Sequence, residues 1–281
     1  MKKILILIFA SILFLGGIFI YEQAKFNDGK LHVVICNVGQ GDSIFMRTPT
    51  GTDIIVDGGP DGSVLSCLSK HMPFWDRDIE LMFATHPDAD HVAGLVSVLQ
   101  NYKVLSFNTS KKSTDTAIYK KLRDTITQQK IPTRYIYTGD KFTLGQVQLL
   151  TLWPTTDYVD LDTPAAPTNN FGLIQVVSYG DFKTLLTADN IAENLDKVSM
   201  SSLKIDVLKV PHHGSKTGLD SQILANLNPS LAVISVGAKN KYGHPTPFVL
   251  DLLKQFGIKT LRTDQNGEVE IISDGKSWVV K

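Results

Sequence analysis

Five of the seven histidines in this 281-residue sequence fall within three short segments with the composition of a metal site. The first segment, residues 85–91, reads THPDADH and carries two imidazoles and two carboxylates, on His86, Asp88, Asp90 and His91. It follows an apolar run typical of a strand and precedes a periodic run typical of a helix, so we expect a loop that turns all four side chains inward. Such mixed nitrogen and oxygen ligands suit Zn²⁺, Mn²⁺ or Fe²⁺. The alternative is an acidic turn in which one aspartate only caps the helix.

An acidic segment without histidine, and the segment that holds the histidine pair, place similar side chains after predicted strands. Asp189 ends the run LLTAD, and His212 and His213 follow the run DVLKV. Side chains that follow neighbouring strands can meet at one edge of a sheet, where a carboxylate can bridge two cations, so the three segments together predict a dinuclear site. Adjacent histidines point in different directions. We therefore expect one of the pair to bind metal and the other to contact substrate or support the site.

Several other residues flank these segments. Asp57 ends the strand-like run IIVD and is expected either to orient a metal ligand from behind or to act as a turn residue. His244 lies in a predicted loop, where a contact with substrate is favoured over a solvated side chain. Lys209 and Ser215 adjoin the histidine pair, and Lys209 either offers charge to an anionic substrate or is simply solvated.

The elements that must position these residues alternate along the chain after residue 31. Apolar runs predict strands at 31–37, 43–48, 53–56, 81–85, 149–153, 173–179, 183–186, 207–210, 231–236 and 269–273. Apolar positions spaced three and four apart predict helices at 63–71, 93–102, 114–129, 220–227 and 246–256. Gly180-Asp181 predicts a tight hairpin turn, and residues 154–170 form the longest predicted loop. This pattern indicates an α/β protein with two sheets and helices outside them.

The N-terminal segment differs from the rest of the chain. Residues 4–21 are 18 uncharged positions preceded by Lys2 and Lys3, and as a helix they would span roughly 27 Å, close to the thickness of a bilayer core. We predict a signal anchor over residues 1–24 and one domain over residues 31–281. The lysines place the N-terminus inside the cell and the domain on the outer face. A cleaved signal peptide is the alternative.

Composition excludes several classes of protein. Hydrophobic residues make up 43% and charged residues 20%, which excludes a disordered chain or a disulfide scaffold. The 28 basic and 28 acidic residues balance, and without residues 1–30, which carry four basic and two acidic groups, the net charge is −2. Tight binding to duplex nucleic acid is therefore not indicated. The two cysteines, Cys36 and Cys67, lie in apolar runs, and buried free thiols are favoured over a disulfide.

The segments also resemble a known family. HPDADH resembles the HxHxDH motif of the metallo-β-lactamase fold, with Asp88 where the second histidine usually stands. More specifically, VVICNVGQGD, THPDADHVAGL, LLTAD, LKVPHHGS and YGHPTPFVL resemble, in order, the metallo-β-lactamase domain of ComEC DNA-uptake proteins. The resemblance implies a four-layer αββα sandwich, here preceded by one transmembrane helix. It also implies two divalent ions, Zn²⁺ or alternatively Mn²⁺, held by His86 and Asp88 on one side, Asp90, His91 and His212 on the other, with Asp189 bridging.

The sequence departs from the family pattern at three places. Asn37 and Ala188 replace a usual aspartate and glycine, but neither change removes a ligand. The third histidine of the first metal has no counterpart, and Asn169 or Asn170 can supply only a neutral amide oxygen there. The chain also has a single hydrophobic segment, so we do not expect it to form the polytopic channel of a ComEC protein.

The resemblance implies a metal-dependent hydrolase and favours a phosphodiesterase or nuclease that uses a metal-bridging hydroxide. Asp90, His213 and His244 are the expected catalytic residues, and a phosphodiester, with single-stranded DNA as one candidate, is the expected substrate. The alternatives are hydrolysis of another ester, such as a phosphocholine ester or a lactone, and a non-catalytic, membrane-tethered accessory of the DNA-uptake machinery. The expected location is the bacterial cell membrane, with the domain outside, or secretion if the signal is cleaved.

Overall fold

The computed structural model describes residues 2–161, 163, 165–198 and 203–281. The described α-helices, α1 to α9, are Lys2–Phe26, Val64–His71, Ala89–Asn101, Ala117–Gln128, Thr156–Asp160, Ala192–Lys197, Ser221–Leu227, Pro247–Gln255 and Thr263–Asn266. Short 3₁₀ helices lie at Thr168–Phe171 and Pro211–Gly214. The described strands, β1 to β17, are Leu31–Ile35, Ile44–Arg47, Asp53–Val56, Asp78–Ile79, Leu81–Ala84, Lys103–Val104, Phe107–Thr109, Thr133–Tyr135, Lys141–Leu144, Val147–Trp153, Ile174–Tyr179, Phe182–Leu186, Val207–Lys209, Leu231–Ile234, Lys259–Arg262, Val269–Ser273 and Trp278–Val280.

Most strands form two large mixed sheets. The first has the order β17-β16-β1-β2-β3-β5-β7-β8, and the second has the order β15-β14-β13-β12-β11-β10-β9. In the first sheet β3, β5, β7 and β8 run parallel, and in the second β12 to β15 run parallel. The carboxyl ends of parallel strands lie at the same edge of a sheet. In each sheet, the residues that follow these strands therefore lie close together at that edge.

Three buried clusters establish four layers. The central cluster joins the inner faces of the two sheets and includes Val33, Ile54 and Phe83 from the first and Val177 and Val207 from the second. A second cluster packs α2, α3 and α4 against the outer face of the first sheet. A third packs α6, α7 and α8 against the outer face of the second. Side chains alternate between the faces of β1 and β3, as expected for strands buried on both sides. The predicted αββα sandwich is confirmed.

The predicted elements are present, with shifted ends. Each of the ten predicted strands and five predicted helices overlaps an observed one, and the Gly180-Asp181 turn joins the antiparallel strands β11 and β12. Helix α3 begins at Ala89, four residues before its predicted start, because the last three residues of the segment THPDADH already belong to the helix. The predicted loop 154–170 contains α5 and a 3₁₀ turn, and its residues 162 and 164 lie outside the described part.

The prediction for the cysteines is wrong, because Cys36 and Cys67 form a disulfide. Cys36 follows β1 and Cys67 lies on α2, which packs on the outer face of the same sheet, so their Cα atoms are 5.8 Å apart. Both residues are buried, and the apolar runs around them fit a buried thiol and a buried disulfide equally well. Their proximity depends on the tertiary packing of α2.

Helix α3 packs closely against the turn after β3, and at the point of contact only glycine fits. The N–H of Gly94 donates to the carbonyl of Gly59 at 2.9 Å, and the N–H of Gly58 donates to the carbonyl of His91 at 2.6 Å. A Cβ on Gly94 would lie 1.8 Å from the carbonyl oxygen of Gly58. This contact fixes the first turn of α3, which carries Asp90 and His91, against the end of β3.

We expect Gly94→Ala to lower the free energy of unfolding by about 1–3 kcal/mol, because the added methyl group overpacks this contact. Urea unfolding of the full chain in detergent, followed by tryptophan fluorescence, measures the change. Gly62→Ala is the matched control, since its Cβ would meet Ser97 at an ordinary 3.5 Å. Equal unfolding midpoints for the two variants would contradict the close approach.

Candidate metal centre

The side chains of the three histidine-rich or acidic segments meet at one edge of the two sheets. Asp57 follows β3 and His86 lies two residues after β5, both at the carboxyl ends of parallel strands in the first sheet. Asp189 follows β12, and His212 and His213 follow β13, in the second sheet. The fold therefore brings the side chains that follow these strands together at one edge, as the sequence predicts.

His86 is held from behind by a hydroxyl. Thr85 Oγ1 donates to Asp57 Oδ2 at 2.6 Å, so it accepts from His86 Nδ1, 2.9 Å away. This leaves His86 Nε2 unprotonated and 3.7 Å from Asp88 Oδ2. Burial, together with the neighbouring His91, lowers the pKa of His86 to about 4. The imidazole is therefore neutral, the form that binds a metal ion.

His91 is oriented by the same carboxylate. Its Nδ1 donates to Asp57 Oδ2 at 2.7 Å, and its Nε2 lies 3.3 Å from Asp189 Oδ1. Burial alone would lower the pKa of His91, but Asp189 and Asp57 outweigh it and raise the pKa well above its ordinary value. The pairing of one ring nitrogen with a carboxylate and the other with the site is typical of metal-binding histidines.

The two adjacent histidines occupy different positions. His213 is 2% exposed, its Nδ1 donates to the Ser235 carbonyl at 2.9 Å, and its Nε2 lies 3.2 Å from Asp189 Oδ2 and 3.5 Å from Asp90 Oδ2. His212 is 26% exposed, with its Nε2 3.7 Å from Asp189 Oδ2 and 3.5 Å from Asn169 Nδ2. Burial lowers the pKa of His212. His213 thus belongs to the buried cluster, and His212 to its open side.

The buried atoms of this cluster fit divalent cations. One ligand atom from each of Asp90, His91, Asp189 and His213 lies within 4.8 Å of the others. His86 Nε2, His91 Nε2, His213 Nε2 and Asp189 Oδ1 are buried without a hydrogen-bond partner. A buried polar atom without a hydrogen-bond partner destabilises the fold. Metal ions that accept lone pairs from these four atoms would explain why all four face one region.

The backbone near these ligands adopts a conformation that is rare for residues other than glycine. Asp57, Ala188, His212 and His213 have φ values of 59°, 48°, 49° and 54°. Each such residue costs of order 1–3 kcal/mol, and the surrounding structure must impose it. All four lie in or beside the cluster, which is typical of a functional site.

An open cavity of about 140 Å³ gives access to the cluster. Asp88, Asn169, His212, Tyr242 and His244 are among the residues that line it. Asp88 occupies the capping position of α3, but its side chain accepts from Thr168 Oγ1 at 2.7 Å and makes no capping bond, so the alternative of a simple helix cap does not hold. Burial lowers the pKa of His244, which is therefore neutral. Among the described lining residues there are three carboxylates and no lysine or arginine.

Three predicted residues do not line the cavity. Lys209 is buried rather than solvated or aimed at substrate: it forms an ion pair with Asp42 and donates to the Ala188 carbonyl at 3.2 Å. Ser215 shares a hydrogen bond with Thr217 at 3.0 Å and so stabilises the turn after the histidine pair. The backbone carbonyl of Asn170 accepts a hydrogen bond from the Trp153 indole N–H at 2.8 Å, whereas Asn169 lines the cavity.

Sequence reasoning missed the supporting residue Asp42, which lies between β1 and β2. Asp42 is buried, and Lys209 and His213 overcome the effect of burial to hold its pKa below the usual range. Its Oδ1 lies 3.4 Å from His213 Nδ1. The signal was available, since an acidic residue follows a run of turn-forming residues between two apolar strands, but its partners come from a strand more than 160 residues later.

Comparisons with known proteins agree with this geometry. The family profile of the Metallo-beta-lactamase superfamily matches residues 36–237. The chain is 28% identical over 272 residues to ComE operon protein 3 of Bacillus subtilis (strain 168), a match that covers 90% of this chain and 34% of that protein. It is 25% identical over 274 residues to Competence protein ComA of Neisseria gonorrhoeae, covering 92% of this chain and 35% of the relative. The chain therefore spans about a third of the length of these relatives.

The fold is also similar to that of a solved structure. The metallo-β-lactamase fold protein YhfI from Bacillus subtilis superposes with a TM-score of 0.57 at 12% identity, covering 86% of this chain and 99% of that one. At this identity the likeness concerns the fold alone. The profile match extends over well more than half of the chain and includes every segment of the buried cluster. The chain belongs to the metallo-β-lactamase superfamily.

Proposed function

We propose that the chain is a metal-dependent phosphodiesterase of the ComEC type, attached to the membrane by α1. The observation that carries this proposal is the convergence of four buried, unpartnered ligand atoms, from His86, His91, His213 and Asp189, beside an open cavity. The superfamily fold supports hydrolysis, and the competence-protein relatives support a place in DNA uptake. That the substrate is a phosphodiester is a proposal that goes beyond this support.

The positions of the side chains suggest how two cations would be held. His86 and Asp88 would bind one, and Asp90, His91 and His213 the other, with Asp189 shared between them. This assignment exchanges the roles predicted for the adjacent histidines, because His213 is the one whose Nε2 lies with Asp90 and Asp189. Bound divalent cations supply Lewis-acid charge and activate water for attack at neutral pH.

The protein's own groups hold the ligands and receive the substrate. Asp57 and Ser235 fix the rings of His91 and His213, so that Nε2 of each faces the site. His212 and His244 line the cavity, and their pKa values are lowered, so at neutral pH each imidazole can donate one N–H to a phosphate oxygen or a leaving group. We therefore propose His212 and His244 as the groups that contact substrate.

The charge of the cavity supports a metal-dependent reaction. Asp88, Asp90 and Asp189 lie on the described lining, where they would repel a phosphodiester. An anionic substrate can enter only when cations neutralise these carboxylates. We therefore expect metal to be needed for substrate binding as well as for turnover. The net charge of the domain favours short or single-stranded substrates over duplex DNA.

The position of the anchor bears on the side from which substrate arrives. Helix α1 has 25 residues, enough for about 37 Å, and it is long and apolar enough to cross a membrane. β1 starts five residues after α1 and runs for roughly 16 Å toward Gln40, which lines the cavity. The cavity thus opens at the end of β1 opposite the anchor, which favours a dissolved substrate over a lipid ester.

The disulfide supports an extracytoplasmic domain, because disulfides persist in oxidising compartments and are rare in the cytosol. This agrees with the orientation expected from Lys2 and Lys3. Together with the competence relatives, it leads us to propose a bacterial membrane protein that acts outside the cytoplasm in DNA uptake.

Asp57→Asn is expected to weaken metal binding by about 10- to 100-fold, because it replaces the carboxylate that orients His91. Asparagine tolerates the positive φ of this position, so the fold should persist. Competition with a chromogenic chelator, on the full chain in detergent, measures the affinity. Asp181→Asn, in an exposed hairpin turn, is the control. Equal metal affinities for the two variants would contradict a role of Asp57 in metal binding.

Hydrolysis of bis(p-nitrophenyl) phosphate by the full chain, with Mn²⁺ or Zn²⁺, tests the activity. We expect metal-dependent turnover, reduced about 100-fold or more in Asp90→Ala because a metal ligand is lost, and retained in Asp181→Ala. Absence of turnover with both metals would overturn the phosphodiesterase proposal and turn attention to lactones and other esters.

Asp189→Ala separates an enzyme from a non-catalytic accessory of DNA uptake. An enzyme loses turnover while it largely keeps its melting temperature without metal. If Asp189→Ala instead lowers stability and DNA binding together, and the unaltered chain shows no turnover, the accessory function is favoured.

A further inference from the structure

The loop between α2 and β4 contacts the membrane-spanning helix through an aromatic pair. Trp75 packs on Phe19 of α1 with ring centroids 4.8 Å apart, and Phe74 packs edge-on against Trp75, also at 4.8 Å. Phe74 is nevertheless 63% exposed. A large apolar side chain left in the open beside an apolar helix requires an explanation, because water is an unfavourable environment for it.

The position of Phe19 along α1 indicates the depth of this loop. Phe19 lies two residues before Tyr21, where the uncharged run ends and Glu22 begins the polar part of the helix. If α1 spans a bilayer, this level is the boundary between hydrocarbon and headgroups. Tryptophan and tyrosine are enriched at that boundary, where one part of the ring is apolar and another meets water.

The base of the loop is tied to the end of α1. Arg47 donates through Nε to the Phe26 carbonyl at 3.1 Å and through Nη1 to Asp76 at 3.3 Å, and Asp76 directly follows Trp75. Arg47 also pairs with buried Asp53 at 2.6 Å. The loop and the end of the anchor are therefore fixed to the same strands of the first sheet.

The linker after α1 is held as well. His32 at the start of β1 lies between two carboxylates, Asp28 at 3.0 Å and Glu270 at 2.8 Å. Phe26 at the end of α1 is buried against the domain. Helix and domain thus meet through several directional contacts, so the level of the loop relative to α1 is set by the fold.

From these contacts we infer that Phe74 and Trp75 insert into the outer headgroup region of the lipid bilayer and form a second point of membrane contact beside α1. The inference rests on the proposal that α1 spans the membrane. Two contacts with the bilayer fix the tilt of the domain, and the cavity at the far end of β1 then faces the aqueous phase. The partner is the lipid surface itself, which the apolar rings recognise without a specific headgroup.

Quenching of tryptophan fluorescence by brominated lipids tests this inference on the full chain in phosphatidylcholine vesicles. The chain has three tryptophans, and Trp153 and Trp278 pack in or against the buried clusters of the domain. We expect bromines near the top of the acyl chains to quench part of the emission and bromines deep in the bilayer to quench less. That quenched part should disappear in Trp75→Phe.

A second reporter keeps failure of the inference distinct from failure of the anchor. Phe14→Trp, made in the Trp75→Phe background, places the reporter in the middle of the apolar run, where deep bromines quench it if α1 spans the bilayer. Quenching of that reporter without any quenching of Trp75 in the unaltered chain overturns the inference and leaves the anchor in place. Quenching of neither overturns both.

Phe74→Asp provides an independent check. A carboxylate at the bilayer boundary is unfavourable, so we expect this variant to reduce the quenching of Trp75 and to shift its emission to longer wavelength. Phe248→Asp is the matched control, since Phe248 is similarly exposed but lies on α8 against the second sheet. The same response in both variants would contradict a specific membrane contact of this loop.

Discussion

Asp57 accepts hydrogen bonds from the backbone N–H of Thr85 at 2.8 Å, from the Thr85 hydroxyl and from His91 Nδ1. Through these bonds one buried carboxylate sets the orientation of both His86 and His91. The arrangement requires β3 and β5 to be neighbours and α3 to lie close on the turn after β3, which is where Gly58 and Gly94 meet. The geometry of the site is therefore a consequence of how the first sheet and its helix pack.

The second sheet meets a similar constraint. Lys209 is buried between Asp42, which lies between β1 and β2 of the first sheet, and the carbonyl of Ala188, which follows β12 of its own sheet. His213 is held by Ser235 and lies near Asp42. A buried ion pair requires good geometry and additional hydrogen bonds to offset the loss of hydration. This pair joins the two sheets directly behind the ligands, so the two halves of the site keep a fixed separation.

Much of the site could be predicted from sequence because its residues are local in the chain. Asp88 to His91 lie in one segment, and Asp189 and the histidine pair directly follow strands that apolar patterning identifies. What could not be predicted depends on side-chain direction and on distant packing. The choice between His212 and His213 depends on two unusual backbone conformations, and the burial of Lys209 and the Cys36–Cys67 disulfide depend on how layers assemble. Within the described residues, the seven short strands that patterning missed are two to four residues long, too short for a periodic signal.

The most direct test is anomalous diffraction from crystals of the full chain grown with Mn²⁺. The account predicts two peaks, one beside His86 and Asp88 and the other beside Asp90, His91 and His213, with Asp189 between them. A single peak, a peak beside His212 in place of His213, or metal bound only away from this edge of the sheets would contradict the proposed dinuclear centre.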